Sequence, residues 1–174
     1  MPEATPARPV ARLVHELSVT GVGQLALGLA VLAVALSATD IEPARALVPF
    51  AITFAVMSGL SLYQSRWMRD APMPPANPDA RVEEPSLTTR RSLVGLAPAL
   101  LAVAVGTLIG PGLGVVLGGV VAGVGVIDLR NRAWAREREH EMGAEIQREL
   151  GGSPFSTGRR PLYTRPRNAS TLAT

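Results

Sequence analysis

SLVGLAPALLAVAVGTLIGPGLGVVLGGVVAGVGVI, residues 92–127, runs for 36 positions without a charge. As one straight helix it would be about 54 Å long, against a hydrocarbon core of roughly 30 Å. Gly110-Pro111-Gly112 sits at its middle and is a turn signal. The stretch therefore predicts a membrane hairpin, one helix in and one helix back. Each arm is then about 17 residues, or about 25 Å, which is marginal for a crossing, so a re-entrant pair is the alternative form. In water GVVLGGVVAGVGV would read as a strand. In lipid a lone strand leaves its backbone unpaired, so helix is the assignment.

Working outward, a second uncharged pair of runs lies upstream. Residues 17–39 lie between Glu16 and Asp40, and residues 46–65 follow the short polar loop DIEPAR. Each is long enough to span. The first exceeds the apolar core of a secretory leader, and further crossings follow it, so it reads as an uncleaved helix. Pro49 is expected in the first turn of the second helix, where its missing N–H costs little. The expected fold is an all-α membrane protein with four transmembrane helices in two hairpins, the second crossing or re-entrant, plus a cytoplasmic juxtamembrane helix.

The divisions follow from composition. Residues 1–16 form a cytoplasmic N-terminal segment; Val10, Leu13, Val14 and Leu17 fall at helical spacing. They suit either a helix on the membrane surface or the first turns of the crossing helix. Residues 17–65 are the first hairpin. Residues 66–91, with five prolines, read as an extended cytoplasmic linker. Residues 92–127 are the glycine-rich second hairpin. Residues 128–150 read as a charged cytoplasmic helix with a thin stripe of Met142, Ile146 and Leu150. Residues 151–174 read as a disordered basic tail. The match of Asn168-Ala169-Ser170 to a glycosylation acceptor is taken as chance in a cytoplasmic tail.

Charge placement predicts the orientation. All 17 basic residues are arginine. A GC-rich bacterial coding sequence explains this more simply than selection for headgroup binding. Arg8 and Arg12 precede the first helix, five arginines lie between the second and third, and nine follow the fourth, so that only Arg45 lies elsewhere. The positive-inside rule then places both termini and the long linker in the cytoplasm of a bacterial cell, with the protein in the inner (plasma) membrane.

Nine of the 17 glycines fall within 92–127. Gly106, Gly110, Gly114 and Gly118, followed by Ala122, are spaced by four, the pattern that lets helix backbones approach closely. A turn at Pro111 would divide this series between the third and fourth helices. It would serve packing within one chain, a homo-oligomer interface or a pore lining. Tyr63, Trp67 and Trp134 are the expected interfacial anchors, with Arg66 and Arg69 beside the first two.

The composition argues against catalysis. There is no cysteine, and the four apolar runs hold no Asp, Glu, His, Lys or Arg. An ion-coupled carrier usually has an intramembrane charge. His15 and His140 are the only histidines, and Glu137 at three residues from His140 is a weak metal pair in a glutamate-rich helix. No catalytic, cofactor or metal residues are assigned. Asp128 is expected to pair with Arg130 or Arg132. The arginines suit anionic lipid headgroups rather than nucleic acid. The expected function is a non-enzymatic scaffold or accessory subunit with a membrane or cytoplasmic protein partner. The alternative is a small pore former, holin-like or permease-like, using the glycine-rich hairpin.

Overall fold

The computed structural model describes residues 9–38, 41–70, 74–76, 81–150 and 161–166. In chain order the elements are β1 (Val10–Arg12), α1 (Leu13–Ala38), α2 (Pro43–Gln64), α3 (Arg66–Asp70), α4 (Pro85–Gly95), α5 (Ala97–Ile109), α6 (Pro111–Met142), β2 (Ala144–Glu149) and β3 (Leu162–Pro166). Four helical stretches, Leu13–Ser37, Pro43–Asp70, Pro85–Ile109 and Pro111–Met142, are long and apolar enough to cross a membrane.

The second hairpin turns on a single residue. α5 ends at Ile109, Gly110 is extended, and Pro111 opens α6 at a position where its missing N–H is not needed. The third stretch begins at Pro85, inside the segment expected to be linker, because Pro85 suits a helix start and two arginines do not stop one. That lengthens the helical arm to 25 residues, but the added turns carry Arg90 and Arg91, and the uncharged part still begins at Ser92. α2 likewise begins at Pro43. Pro49 is therefore inside the helix rather than in its first turn and leaves the Arg45 carbonyl without a helical donor.

α6 is the central helix. Of its most apolar window 44% is buried, against 11–17% for the other three. It packs against α1, α2 and α5. The outer faces of the others carry exposed Val56, Leu101, Leu108 and Ile109, as lipid-facing surfaces would.

The expectation of an all-α chain is corrected at one end of the bundle. β1, β2 and β3 form an antiparallel sheet in the order β1-β2-β3, with Arg12 opposite Gln147 and Ile146 opposite Thr164. The helix expected over 128–150 ends at Met142. Gly143 takes a left-handed conformation (φ 60°) that closes α6 and releases the chain into β2. Val10 belongs to β1, and Leu13, Val14 and Leu17 open α1. These three are buried with Met68, Ala135, Ile146 and Leu162, so this apolar face meets the sheet rather than a membrane surface.

Both outer edges of the sheet are covered by pieces of the segment between α3 and α4. Val10 N–H donates to the Arg81 carbonyl (3.0 Å), and Glu83 N–H donates to the Val10 carbonyl (2.8 Å). On the far edge Thr164 N–H donates to the Pro75 carbonyl (3.0 Å), and its hydroxyl donates to the Pro74 carbonyl (3.1 Å). Proline-rich chain suits this role, since an edge strand needs only some of its N–H groups. The segment expected as a free linker is thus held at both described stretches. Of the expected basic tail, residues 161–166 are described and include β3. The remaining tail with its Asn168 match, residues 1–8, 71–73 and 77–80 and the loop positions 39–40 lie outside the described residues.

Candidate interaction site at the junction of bundle and sheet

β1 runs directly into α1, and β2 follows α6 after Gly143 alone. The ends of these two helices therefore place the sheet, and buried charges join them. Glu16 in α1 accepts from Arg148 in β2, with Nε 3.1 Å from Oε2 and Nη2 on Oε1. The side chains are 9% and 20% exposed, so this pair is mostly out of water.

The second pairing centres on Glu139, whose side chain is 1% exposed. Arg12 in β1 donates to it through Nη2 (2.8 Å) and Nε (3.4 Å). The Ile146 N–H donates to its Oε1 (3.0 Å), so one carboxylate ties β1 and β2 to α6. Arg12 Nη1 also lies 3.3 Å from Glu145 Oε1. The Glu139 hydrogen bond, opposed by burial and helped by both carboxylates, holds the Arg12 guanidinium above its ordinary pKa. Beside these pairs, Gln147 is fully buried in β2, and neither atom of its amide has a hydrogen-bond partner among the described residues. Asn131 Oδ1 is in the same condition.

Asp128 does not pair with Arg130 or Arg132. It turns inward and accepts from the Thr20 hydroxyl (3.1 Å). His15 meets Thr89 across α1 and α4 (2.8 Å). His140 is exposed, and among the described residues no three His, Cys, Asp or Glu side chains converge as a metal site.

The expected small-residue series is divided between two interfaces and a turn. Gly106 and Gly114 lie between α5 and α6, where a Cβ on each would meet Leu117 and Thr107. Gly110 is in the turn, and a Cβ there meets nothing within 4 Å. Gly118 and Ala122 face Gly28 on α1, with the Gly118 and Gly28 backbones in contact. Sequence reasoning missed three glycines of α6: Gly125, which meets Gly21 and Leu25 of α1, and Gly119 and Gly123, which pack against α2 at Phe50 and Phe54. Their spacing, Gly119 to Gly123, was the available signal. Of the expected anchors, Tyr63 is 68% exposed, whereas Trp67 and Trp134 pack on the apolar cluster under the sheet.

The hydroxyls within the apolar helices mostly return to their own backbone. Ser37, Thr53 and Thr107 donate four residues back, to Ala33, Pro49 and Val103, and Ser58 crosses to the Gly123 carbonyl (3.3 Å). What the junction does chemically is hold elements together, since the buried Glu16 and Glu139 are matched to Arg148 and Arg12. No protein-family model, curated protein or solved structure matches the chain.

Proposed function

We propose that the chain is a non-enzymatic membrane scaffold or accessory subunit whose sheet-bearing end faces the bacterial cytoplasm and meets a protein partner. The observation that carries this reading is the continuity of α6. It runs for 32 residues from the glycine contacts among the apolar helices to Glu139 under the sheet. A partner bound at the polar end is thereby mechanically joined to the spans. The outer side of that end carries exposed Arg136, Glu137, Arg138, His140 and Glu141. Arg138 and Glu141 pair at 2.9 Å, a surface contact that contributes little to stability and leaves their charge available to a partner.

The covered sheet edges argue for recognition through this helix face rather than through an added strand. The arginine distribution supports the cytoplasmic orientation in the inner membrane, and the basic tail adds attraction to anionic headgroups. The glycine faces of α6 are occupied by α1, α2 and α5, which favours a scaffold over a pore lined by the second hairpin, since a pore would need those faces open to water. Photo-crosslinking residues placed at Arg136, Glu137 and His140 in native membranes should give discrete protein adducts. The same residue at Val56 or Leu101 should give lipid adducts only. Lipid adducts alone from both sets would overturn the proposal.

A further inference from the structure

Three arginines converge on one cleft where the chain leaves its apolar spans. Arg66 and Arg69 of α3 and Arg130 of α6, with Leu62 and Asp70, line a cavity of about 390 Å³. Its level is set by the sequence, because Arg66 directly follows the uncharged run 46–65 and Arg130 closely follows the run 92–127. The neighbouring Tyr63 ring is exposed and carries the Arg66 guanidinium 5.8 Å from its centroid, an arrangement suited to the headgroup layer.

The charge of this cleft is not matched. The lining residues are three arginines and one acid, Asp70, and none of the three arginines forms an ion pair among the described residues. Arg69 is held in place by donating from Nη2 to the Leu62 carbonyl (3.2 Å). Its Nε is buried and has no acceptor among the described residues. A buried guanidinium N–H without an acceptor is a costly arrangement that an anionic oxygen would relieve. Leu62 meanwhile supplies an apolar wall of the kind a glycerol backbone and first acyl carbons would meet.

We propose that this cleft binds the phosphate group of an anionic phospholipid, with Arg69 and Arg130 as its principal donors. The proposal rests on the membrane reading and is independent of any protein partner. The full chain is purified in an uncharged detergent and exposed to phosphatidylcholine vesicles with and without one-fifth phosphatidylglycerol. Retained lipid is counted by native mass spectrometry. The wild type should retain phosphatidylglycerol selectively, and Arg69→Gln with Arg130→Gln should reduce that retention by about tenfold or more. Arg81→Gln with Arg90→Gln removes the same charge at exposed positions outside the cleft and should leave it unchanged.

Equal losses in both double variants, or no loss in either, would overturn the site. Inorganic phosphate is the second arm. Displacement of the lipid by millimolar phosphate alone would assign the cleft to a soluble anion and overturn the lipid. Should the cleft double variant not fold, Arg69→Lys is read instead: it keeps the charge but loses the fork, and unaltered retention would overturn Arg69 as a donor. A chain that stays monodisperse without detergent would contradict the membrane reading itself, a result separable from loss of lipid selectivity in a detergent-dependent protein.

Discussion

Arg148 in the central strand places its guanidinium on the carboxylate of Glu16 in the first turn of α1, 132 residues away in sequence. The two ends of the described chain are thereby joined where the bundle meets the sheet. Removing either partner strands a charge that is largely out of water. Arg148→Met or Glu16→Leu should cost about 3 kcal/mol. The double variant Glu16→Leu with Arg148→Met should recover most of that loss, because two apolar side chains need no counter-charge. Thermal unfolding in detergent measures all three. An additive double variant would show that the pair is not coupled.

Arg12 meets two carboxylates, Glu139 and Glu145, through separate nitrogens of one planar fork, a geometry that a lysine ammonium does not reproduce. Arg12→Lys should destabilise the sheet by about 1–2 kcal/mol. Its guanidinium pKa is raised in the fold, so its contribution is fully present below the ordinary arginine value and is lost only as pH rises through the higher one. Stability at neutral pH should therefore respond to this substitution and not, through Arg12, to pH. A melting curve for Arg12→Lys that overlays the wild type would refute the two-carboxylate contact.

Gln147 is buried with both amide atoms unpaired. Gln147→Leu keeps the volume and removes the unsatisfied groups, so it should be neutral or stabilising by about 1 kcal/mol. A loss of several kcal/mol would mean that the amide has a partner, such as an ordered water, whose hydrogen bonds the leucine abolishes.

Glycine substitutions should divide by neighbour rather than by spacing. A Cβ at Gly125 would lie 2.7 Å from the Leu25 nitrogen and 2.8 Å from the Gly21 carbonyl, both backbone atoms that cannot step aside. Gly125→Ala should cost about 1–3 kcal/mol. Gly110→Ala should be tolerated, since Gly110 is extended and open space surrounds it. Gly143→Ala has space too, but its φ of 60° should cost about 1 kcal/mol. Equal losses at Gly110 and Gly125, read by detergent melting, would contradict this division.

The covered edges predict protection where the composition predicts none. The amides of Glu83 and Val10 and the amide of Thr164 are hydrogen-bonded across the sheet edges. Hydrogen exchange should be slowed there by about tenfold or more relative to an open chain, although 81–83 lies in a proline-rich stretch. Exchange at the free-coil rate for Glu83 and Thr164 would show the edges to be open.

The four apolar helices, the turn at Gly110-Pro111 and the stretches of chain where charge accumulates were legible in the residues alone. These depend on the solvent each residue prefers and on neighbours within a turn, quantities that a local run of residues carries. The small-residue pattern was partly readable: Gly118 and Ala122 do meet another helix, but their partner Gly28 lies in a span with its own spacing. The sheet was not legible that way. Arg12 pairs with Gln147 across more than a hundred residues, and no local period announces strands of three to six residues. The buried stripe of α6 was hidden for a related reason. Ile127, Asn131, Ala135 and Glu139 share one face, but two of the four are polar, so the face reads as solvated until Arg12 and the Ile146 N–H are brought to Glu139. A buried charge is tolerable only beside its partner, and that partner is chosen by the fold rather than by the adjacent chain.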